Sequence, residues 1–170
     1  AMSPESSSAV EKYLREMGVN ILLNKMVTDY KDHKVMLADG SSISTRTFIW
    51  VSGVAGQPVG NLDASHLGRG RRIKVDSFNR VEGLEDVFCI GDQCLVEGDK
   101  DYPNGHPQLA QVAIQQGANL AKNLKRMIKG KPFTPFRYKN LGAMATVGRN
   151  KAVAEFAKIK MKGFWAWFMW

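Results

Sequence analysis

The chain has 170 residues, of which 44% are hydrophobic and 24% charged, so it can bury one core or two small ones and is not a disordered chain. Its formal net charge is +8, and half of the Lys and Arg residues lie between Lys122 and Lys162. No apolar run reaches the roughly 20 residues of a membrane-spanning helix, and no signal peptide follows Ala1-Met2, which resembles a cloning remnant.

The first third of the chain predicts a helix followed by strands. Ser3-Pro4-Glu5 combines a capping Ser, a Pro at the first helical position and an acid in the first turn, and Gly18 supplies the stop. Four short strands are predicted after it, at residues 19–23, 26–30, 34–38 and 42–44. Asp39-Gly40 is a hairpin signal, so the last three strands are expected to form an antiparallel meander.

The middle of the chain predicts strands of a parallel sheet and one long helix. Residues 47–52 and 87–90 are almost entirely apolar, as strands buried on both faces are. A Gly-rich crossover (53–70) and an alternating strand (72–76) lie between them. A helix is predicted from about Gln108 to Lys129, and further strand-like pieces are predicted at 136–138, 144–147 and 152–156. Helix, strand, meander and strand are the second half of a nucleotide-binding module, and no G-x-G-x-x-G turn supplies its first half.

Two features of the middle region bear on function. Gly91-Asp92 follows a predicted buried strand, where a Gly admits a ligand close to the backbone and an Asp accepts hydrogen bonds from sugar or ribitol hydroxyls. Taken alone, this dipeptide is more often a simple turn. Cys89 and Cys94 have no Cys or His pair elsewhere at ligand spacing, so no metal site is predicted, and Cys89 is interpreted as a small buried hydrophobe rather than half of a redox disulfide.

Several motifs in order resemble one family. Ile73-Lys-Val-Asp76 followed by Asp86-Val-Phe-Cys-Ile-Gly-Asp92 resembles the second FAD-binding signature of the two-dinucleotide flavoprotein reductases, and residues 47–53 with Pro58 resemble their joint between NAD and FAD domains. Ala110-Gln111-Val-Ala-Ile-Gln115 matches the A-Q-x-x-x-Q quinone-site pattern of the type II NADH:quinone oxidoreductases. Residues 142–149, 152–153 and 163–167 are also similar to that family, so the resemblance covers nearly the whole chain.

The resemblance implies an α/β fold, an incomplete two-dinucleotide-binding-domain flavoprotein. Residues 1–54 would be the second half of an NAD(H)-binding domain, with helix, parallel strands and antiparallel meander. Residues 55–130 would be the C-terminal part of the FAD-binding domain, and residues 131–170 would lead to a membrane-docking segment. The chain would then be a C-terminal fragment of a non-proton-pumping NADH:quinone oxidoreductase, inactive by itself.

The resemblance also implies site residues. The expected FAD contacts are Gly91, Asp92, Ala110 and Gln111, the expected NAD contact is Gly53, and the expected quinone contacts are Gln111 and Gln115. These two glutamines are four residues apart on one helix face, where an amide can donate to a quinone carbonyl without adding charge; the alternative is two solvated helix glutamines. No catalytic side chain is predicted, because the cofactor carries the chemistry.

Two positions leave roles open. Many relatives have a Lys directly before the Gly of the segment that begins here at Gly142, whereas this chain has Leu141 there and Lys139 two residues earlier. His106 lies in the predicted loop 97–107, and it is interpreted as a solvated loop histidine in preference to a proton donor.

FAD and NAD(H) are the cofactors expected in the full-length enzyme, and neither is expected to bind this chain alone. Its substrates would be NADH and a quinone, and a homodimer is expected because half-domains expose strand edges and apolar faces. The alternatives are a soluble NAD(P)H-dependent flavoprotein reductase and, in another class, a basic nucleic-acid-binding module, which no helix-turn-helix, RNP or zinc pattern supports.

The C-terminal end predicts membrane contact. Lys158, Lys160 and Lys162 alternate with apolar residues as in an extended segment, and five aromatics without charge follow in Gly163–Trp170. Basic residues next to interfacial aromatics favour an anionic membrane surface over DNA, at the cytoplasmic face and without crossing. The alternatives are a solvated basic face and aromatics packed in the protein's own core.

Overall fold

The computed structural model describes residues 2–57, 59–156 and 159–169. Its contacts divide the chain into two compact units. The first unit combines residues up to Val51 with those from Leu141 onward, and the second is Ser52–Asn140. Pro58, Lys158 and Trp170, which carried parts of the sequence predictions, lie outside the described residues. The assignment of residues 1–54, 55–130 and 131–170 to cofactor and membrane-docking domains stays a prediction.

The first unit begins with the predicted helix, α1 (Pro4–Glu16). The Ser3 side chain caps it by accepting a hydrogen bond from the Ser6 backbone N–H at 3.5 Å. Gly18 adopts φ 80° and its N–H donates to the Arg15 carbonyl, which ends the helix with a left-handed glycine as predicted. Local capping signals therefore determine both ends of this helix.

An antiparallel meander follows, and its predicted order is confirmed. Its strands are β1 (Val27–Lys31), β2 (Lys34–Leu37) and β3 (Ser42–Ser44), paired in that sequence. Gly40 has φ 82° in the turn between β2 and β3, a conformation that a residue without Cβ adopts at no steric cost. Val35 and Leu37 are the buried residues of β2.

A second antiparallel sheet completes the first unit. It is formed by β6 (Ala143–Thr146), β7 (Ala152–Phe156) and β8 (Ile159–Gly163), with β7 in the centre. Ala152 and Ala154 are fully buried, and both α1 and a short C-terminal helix, α3 (Phe164–Phe168), pack on this sheet. The chain enters α3 through Gly163, whose φ of 78° and ψ of −146° lie in a region that only glycine adopts readily.

The second unit is built on a parallel strand pair and the long helix. The pair is β4 (Ile73–Val75) with β5 (Cys94–Val96), and the helix is α2 (Ala110–Ile128). The core contains Ile73, Val75, Val81, Cys94 and Val96. The most buried residues of α2 include two amides, Gln116 and Asn123, beside Val112. The predicted helix and the predicted strand at 72–76 are confirmed, and β5 was missed.

Four predicted strands are wrong: residues 19–23, 47–52, 87–90 and 136–138 form no strand. The runs at 47–52 and 87–90 were expected to be buried on both faces, yet Ile49 is 75% and Val51 90% exposed, and only Phe88 makes an isolated bridge. An apolar run becomes a strand only where a neighbour supplies a continuous ladder of backbone hydrogen bonds. In the described part of the chain residues 47–52 belong to no sheet, and residues 87–90 make only a short contact with residues 79–81. Phe136 is buried instead as part of an irregular segment, with its N–H bonded to the Ser77 carbonyl.

Candidate functional site

The Gly91-Asp92 dipeptide lies in the second unit, in a short 3-10 turn (Gly91–Gln93) that leads directly into β5. Gly91 has φ 73°, and a Cβ at this position would lie 3.5 Å from the Cβ of Ala113 on α2. The turn therefore packs closely against the first turns of the helix that bears Ala110 and Gln111. The structure brings these four predicted FAD contacts to one end of α2.

A buried amide on α2 holds this turn. Gln116 is fully buried, and its Oε1 accepts a hydrogen bond from the Gly91 N–H at 2.7 Å. Its Nε2 donates to the Cys94 Sγ at 3.1 Å, so both ends of the amide are bonded. The sequence does not predict the burial of Gln116, because a polar helix residue next to Gln115 follows no pattern that indicates burial.

Two more amides fix the backbone around Asp92. The Gln108 side chain donates to the Asp92 carbonyl at 3.0 Å. The Gln93 side chain donates to the Gln57 carbonyl at 2.7 Å and accepts from the Gln57 N–H at 2.9 Å. The Asp92 side chain is exposed. A carboxylate held by its backbone and open on its side-chain oxygens can accept hydroxyl donors from a ligand.

The start of α2 suits an electron-rich ligand. The residue before Ala110 makes no side-chain cap, and the first turn contains no acidic residue. A helix start carries a partial positive charge from its backbone N–H groups, which favours a negative partner. Ala110 is exposed at this end. Asp92, Gly91 and the helix start thus fit a flavin nucleotide. Its hydroxyls could donate to the Asp92 carboxylate, and its electron-rich ring could face the start of the helix.

The two predicted quinone contacts differ in their surroundings. Gln111 lies partly exposed in the first turn of α2. Gln115, one turn later, donates through Nε2 to the Lys139 carbonyl at 2.9 Å and accepts from the Lys139 N–H at 3.0 Å. Gln115 therefore holds the segment after α2 against the helix. Nε2 of Gln115 carries a second hydrogen that these bonds do not use.

Gly53, the predicted NAD contact, is not brought to the Gly91 turn. It is exposed with φ 81°, and a Cβ built there would meet nothing within 4 Å. Three residues later, Gly56 comes close to other backbone, since its N–H donates to the Gly70 carbonyl at 2.7 Å and a Cβ would lie 2.4 Å from the Arg71 carbonyl oxygen. Gly56 is thus the position of this segment where a Cβ would clash with neighbouring backbone, whereas a Cβ at Gly53 would meet no atom within 4 Å.

His106 is not a solvated loop histidine, which corrects the sequence interpretation. Its side chain is buried, and its Nε2 lies 2.9 Å from the Asp99 Oδ2. The rings of Tyr102, Phe136 and Tyr138 surround it. The Nδ1 atom is buried without a hydrogen-bond partner among the described residues.

A buried arginine folds the loop that carries His106. The Arg72 guanidinium donates to the carbonyls of His106 at 3.0 Å and Asn104 at 3.2 Å. Burial opposes ionisation of Asp99, but hydrogen bonds from His106 and from nearby backbone outweigh it and hold the pKa of the Asp99 carboxyl below its usual value. The loop is thus held by hydrogen bonds from Arg72, which lies 34 residues before His106. No sequence pattern within the loop itself indicates that His106 is buried.

Both cysteines are free thiols. Burial, with a smaller effect of Cys94, raises the pKa of Cys89 to about 11, and burial also raises the pKa of Cys94. Both therefore stay uncharged near neutral pH, and a thiol in that state is a poor nucleophile. Within residues 2–57, 59–156 and 159–169, no group of three His, Cys, Asp or Glu side chains could hold a metal ion.

The C-terminal helix divides its aromatic residues between two faces. Ala166 is fully buried and Trp167 packs against the sheet of the first unit. Trp165 and Phe168 are 69% and 70% exposed, and Phe164 is half exposed. Lys160 and Lys162 on β8 lie near Glu5, at 3.4 and 3.9 Å. None of the helices in the described ranges is long and apolar enough to cross a membrane.

Comparison with known proteins gives the family. Residues 1–117 match the family model of the pyridine nucleotide-disulphide oxidoreductases. A type II NADH:quinone oxidoreductase of Mycobacterium tuberculosis is 34% identical over 99% of this chain and 37% of its own length. A mitochondrial internal alternative NAD(P)H-ubiquinone oxidoreductase of Arabidopsis thaliana is 36% identical over 94% of this chain and 34% of its own. The chain thus spans about a third of the length of these relatives.

Solved structures agree on the fold. NDH2 from Plasmodium falciparum, solved in complex with NADH, has a TM-score of 0.81 at 17% identity and covers 99% of this chain and 50% of its own. The sulfide:quinone oxidoreductase of Aquifex aeolicus has a TM-score of 0.72 at 17% identity, over 98% of this chain and 42% of its own. The predicted fold class, an incomplete two-dinucleotide-binding flavoprotein, is confirmed. With its type II NADH:quinone oxidoreductase relatives, the chain belongs to the pyridine nucleotide-disulphide oxidoreductase family.

Proposed function

We propose that this chain is the C-terminal portion of an NADH dehydrogenase that passes electrons from NADH through FAD to a membrane quinone. One observation supports this most directly: the Gly91-Asp92 turn packs against the start of α2, the helix that bears Gln111 and Gln115. A candidate cofactor site and a candidate quinone site would thereby share one helix end. The relatives named for this reaction are 34% and 36% identical to the chain.

The chain's own residues would bind the FAD by backbone and carboxylate contacts. Asp92 would accept hydrogen bonds from ribityl hydroxyls, and Gly91 would let the cofactor approach the turn. The start of α2 at Ala110 and Gln111 would face the electron-rich edge of the flavin ring. When bound, FAD supplies the two-electron carrier between NADH and quinone. Gly53 would contribute to the NAD(H) side, for which its open surroundings leave room.

Gln111 and Gln115 would orient the quinone. Both carry amide N–H groups. In Gln115 one N–H donates to the Lys139 carbonyl and the side-chain oxygen accepts from the Lys139 N–H, which leaves the second N–H for a ligand. Its bonds to Lys139 fix the side chain in place before the quinone arrives, which lowers the cost of ordering it. Neither amide changes charge, so neither supplies a proton; their role is to bind and orient a carbonyl.

The exposed face of α3 would contact the membrane that holds the quinone. Trp165 and Phe168 present apolar rings to solvent, and Lys160 and Lys162 on the preceding strand carry positive charge. Each lysine near an anionic surface contributes about 1 kcal/mol. The contact would be peripheral and on the cytoplasmic face of the membrane.

The test is rapid kinetics on the full-length enzyme that contains this chain. We expect Gln111→Ala and Gln115→Ala to slow flavin reoxidation by quinone about tenfold, the value of one lost hydrogen bond, while flavin reduction by NADH stays close to wild type. Asn119→Ala is the matched control, because Asn119 is an amide on the same helix that bonds Thr134. Equal slowing of both half-reactions would refute the quinone role, and an enzyme without bound flavin would refute the function itself.

A further inference from the structure

We propose that Gln116 is a positioning residue for FAD: it holds the Gly91 turn so that the Asp92 carboxylate faces the cofactor. Gln116 does not touch the ligand in this proposal, since its side chain is fully buried beneath the turn. Its effect reaches the cofactor through the Gly91 backbone. This inference rests on the proposed FAD site and adds a residue outside the A-Q-x-x-x-Q pattern.

Burial of the Gln116 amide has an energetic cost. Placing an amide in a protein interior is unfavourable unless its groups are hydrogen-bonded. Gln116 meets this condition with two specific bonds, one to the Gly91 N–H at 2.7 Å and one to the Cys94 Sγ at 3.1 Å. Both partners belong to the stretch from the turn into β5. The bonds of Gln116 are therefore directed at the turn rather than at the helix it sits on.

The conformation of Gly91 also depends on its bond to Gln116. Its φ of 73° lies in the left-handed region. Because a glycine has no Cβ, its backbone can also take other conformations unless a contact fixes it. The Gly91 N–H donates to Gln116, so an apolar side chain at position 116 would leave this donor unpaired. The turn would then shift to find another acceptor, and Asp92, the next residue, would move with it.

A second buried amide on the same helix provides the comparison. Asn123 is also fully buried, and its Oδ1 accepts from the Thr134 N–H at 2.9 Å and the Thr134 Oγ1 at 3.0 Å. Those bonds hold the segment after α2, not the Gly91 turn. Loss of either amide should destabilise the fold, but only loss of Gln116 should act on FAD.

The experiment measures FAD affinity and turn protection separately. In the full-length enzyme, Gln116→Met keeps the side-chain size and removes both hydrogen bonds, and we expect it to raise the FAD dissociation constant about tenfold. Asn123→Leu should lower the melting temperature and leave FAD affinity unchanged. In the present chain, hydrogen exchange at the Gly91 amide should speed up about tenfold in Gln116→Met and stay unchanged in Asn123→Leu.

A third variant keeps the test decisive if Gln116→Met does not fold. Gln116→Glu retains an acceptor for the Gly91 N–H, and burial favours its neutral form, so its FAD affinity should stay near wild type. A tenfold loss of affinity in this variant with wild-type hydrogen exchange at the Gly91 amide would overturn the inference. Wild-type affinity in Gln116→Met, or an equal loss in Asn123→Leu, would also overturn it while the proposed function stands. A wild-type enzyme that binds no FAD would overturn both.

Discussion

Several glutamine side chains bond the backbone of the second unit around the candidate site. Gln116 bonds Gly91, Gln108 bonds Asp92, and Gln115 bonds both backbone groups of Lys139. Amides do not titrate in the physiological range, so these bonds persist across the pH range in which the protein is folded. These glutamine contacts are therefore insensitive to pH, unlike the carboxylate contacts elsewhere in the chain.

Glu155 is such a carboxylate, and it joins the first helix to the second sheet. It accepts from the Ser6 hydroxyl at 2.5 Å, from the Ser3 N–H at 3.0 Å, and from the Ser3 hydroxyl. The side-chain hydrogen bonds from Ser3 and Ser6 lower the pKa of Glu155 below its ordinary 4.5. Because the folded-state pKa is depressed, the stabilisation is present above pH 4.5 and is lost as pH falls through that lower value.

We therefore expect Glu155→Gln to reduce the thermal stability of the first unit above pH 4.5 and to flatten its pH dependence below that value. Circular dichroism melting curves at a series of pH values on both sides of 4.5 measure this. Glu82→Gln, at an exposed carboxyl of the other unit, is the control. A Glu155→Gln protein whose acid transition matched that of wild type would contradict the assignment.

What the sequence could predict at the residue scale depended on motifs. Gly91, Asp92, Ala110 and Gln111 were predicted as FAD contacts from a resemblance, and in the structure they lie at one helix end. Gln116 and the burial of His106 were not found, because both depend on partners distant in sequence. Cys94 and Arg72, which bond them, lie 22 and 34 residues away.

At the scale of elements, the short helix α3 exposes aromatic side chains on the surface of the first unit. Its exposed side chains are aromatic, and two lysines precede it on β8. Interfacial aromatics and lysines together favour a membrane surface, since the rings are buried among headgroups while the charges meet anionic lipid.

We expect Trp165→Ala combined with Phe168→Ala to weaken binding to anionic vesicles at least tenfold in co-sedimentation, and truncation at Gly163 to weaken it at least as much. Ile128→Ala is a matched control, since Ile128 is 83% exposed at the end of α2. Salt should weaken the residual binding if the lysines contribute. Unchanged binding in the double variant would remove α3 from the membrane surface.

Elements with local signals were predicted, and elements that need distant partners were not. The helix α1 has its own cap and stop, and β2 and β3 have their own turn at Gly40, so these were correct. Residues 47–52 and 87–90 were assigned as strands from apolar content alone. Apolar content indicates that a segment avoids water, but a strand also requires a neighbouring segment that pairs with it by continuous backbone hydrogen bonds.

At the scale of the whole molecule, those same segments leave apolar surface in water. Ile49, Trp50 and Val51 are all exposed, and they follow one another directly. Isolated exposed hydrophobics are ordinary, but a contiguous run is a site for association.

We therefore expect the chain to self-associate, and Ile49→Lys with Val51→Lys to shift it toward monomer. Light scattering over a concentration series measures the association state. The control is Leu22→Lys with Leu23→Lys, which alters a second exposed apolar pair of the same unit. A wild-type chain that stays monomeric at high concentration would contradict the expectation, as would an equal effect of the two double variants.

The division of the chain into two units has a consequence for its synthesis on the ribosome. The second unit is one continuous stretch, Ser52–Asn140, whereas the first requires both ends of the chain. Ser3 and Glu155, bonded to each other, are separated by 152 residues. The helix α1 is therefore translated long before the sheet of β6, β7 and β8 on which it packs. It cannot pack on that sheet until the second unit has been translated. Within this chain, the unit Ser52–Asn140 can therefore fold before the residues from Leu141 onward are translated, whereas the first unit cannot.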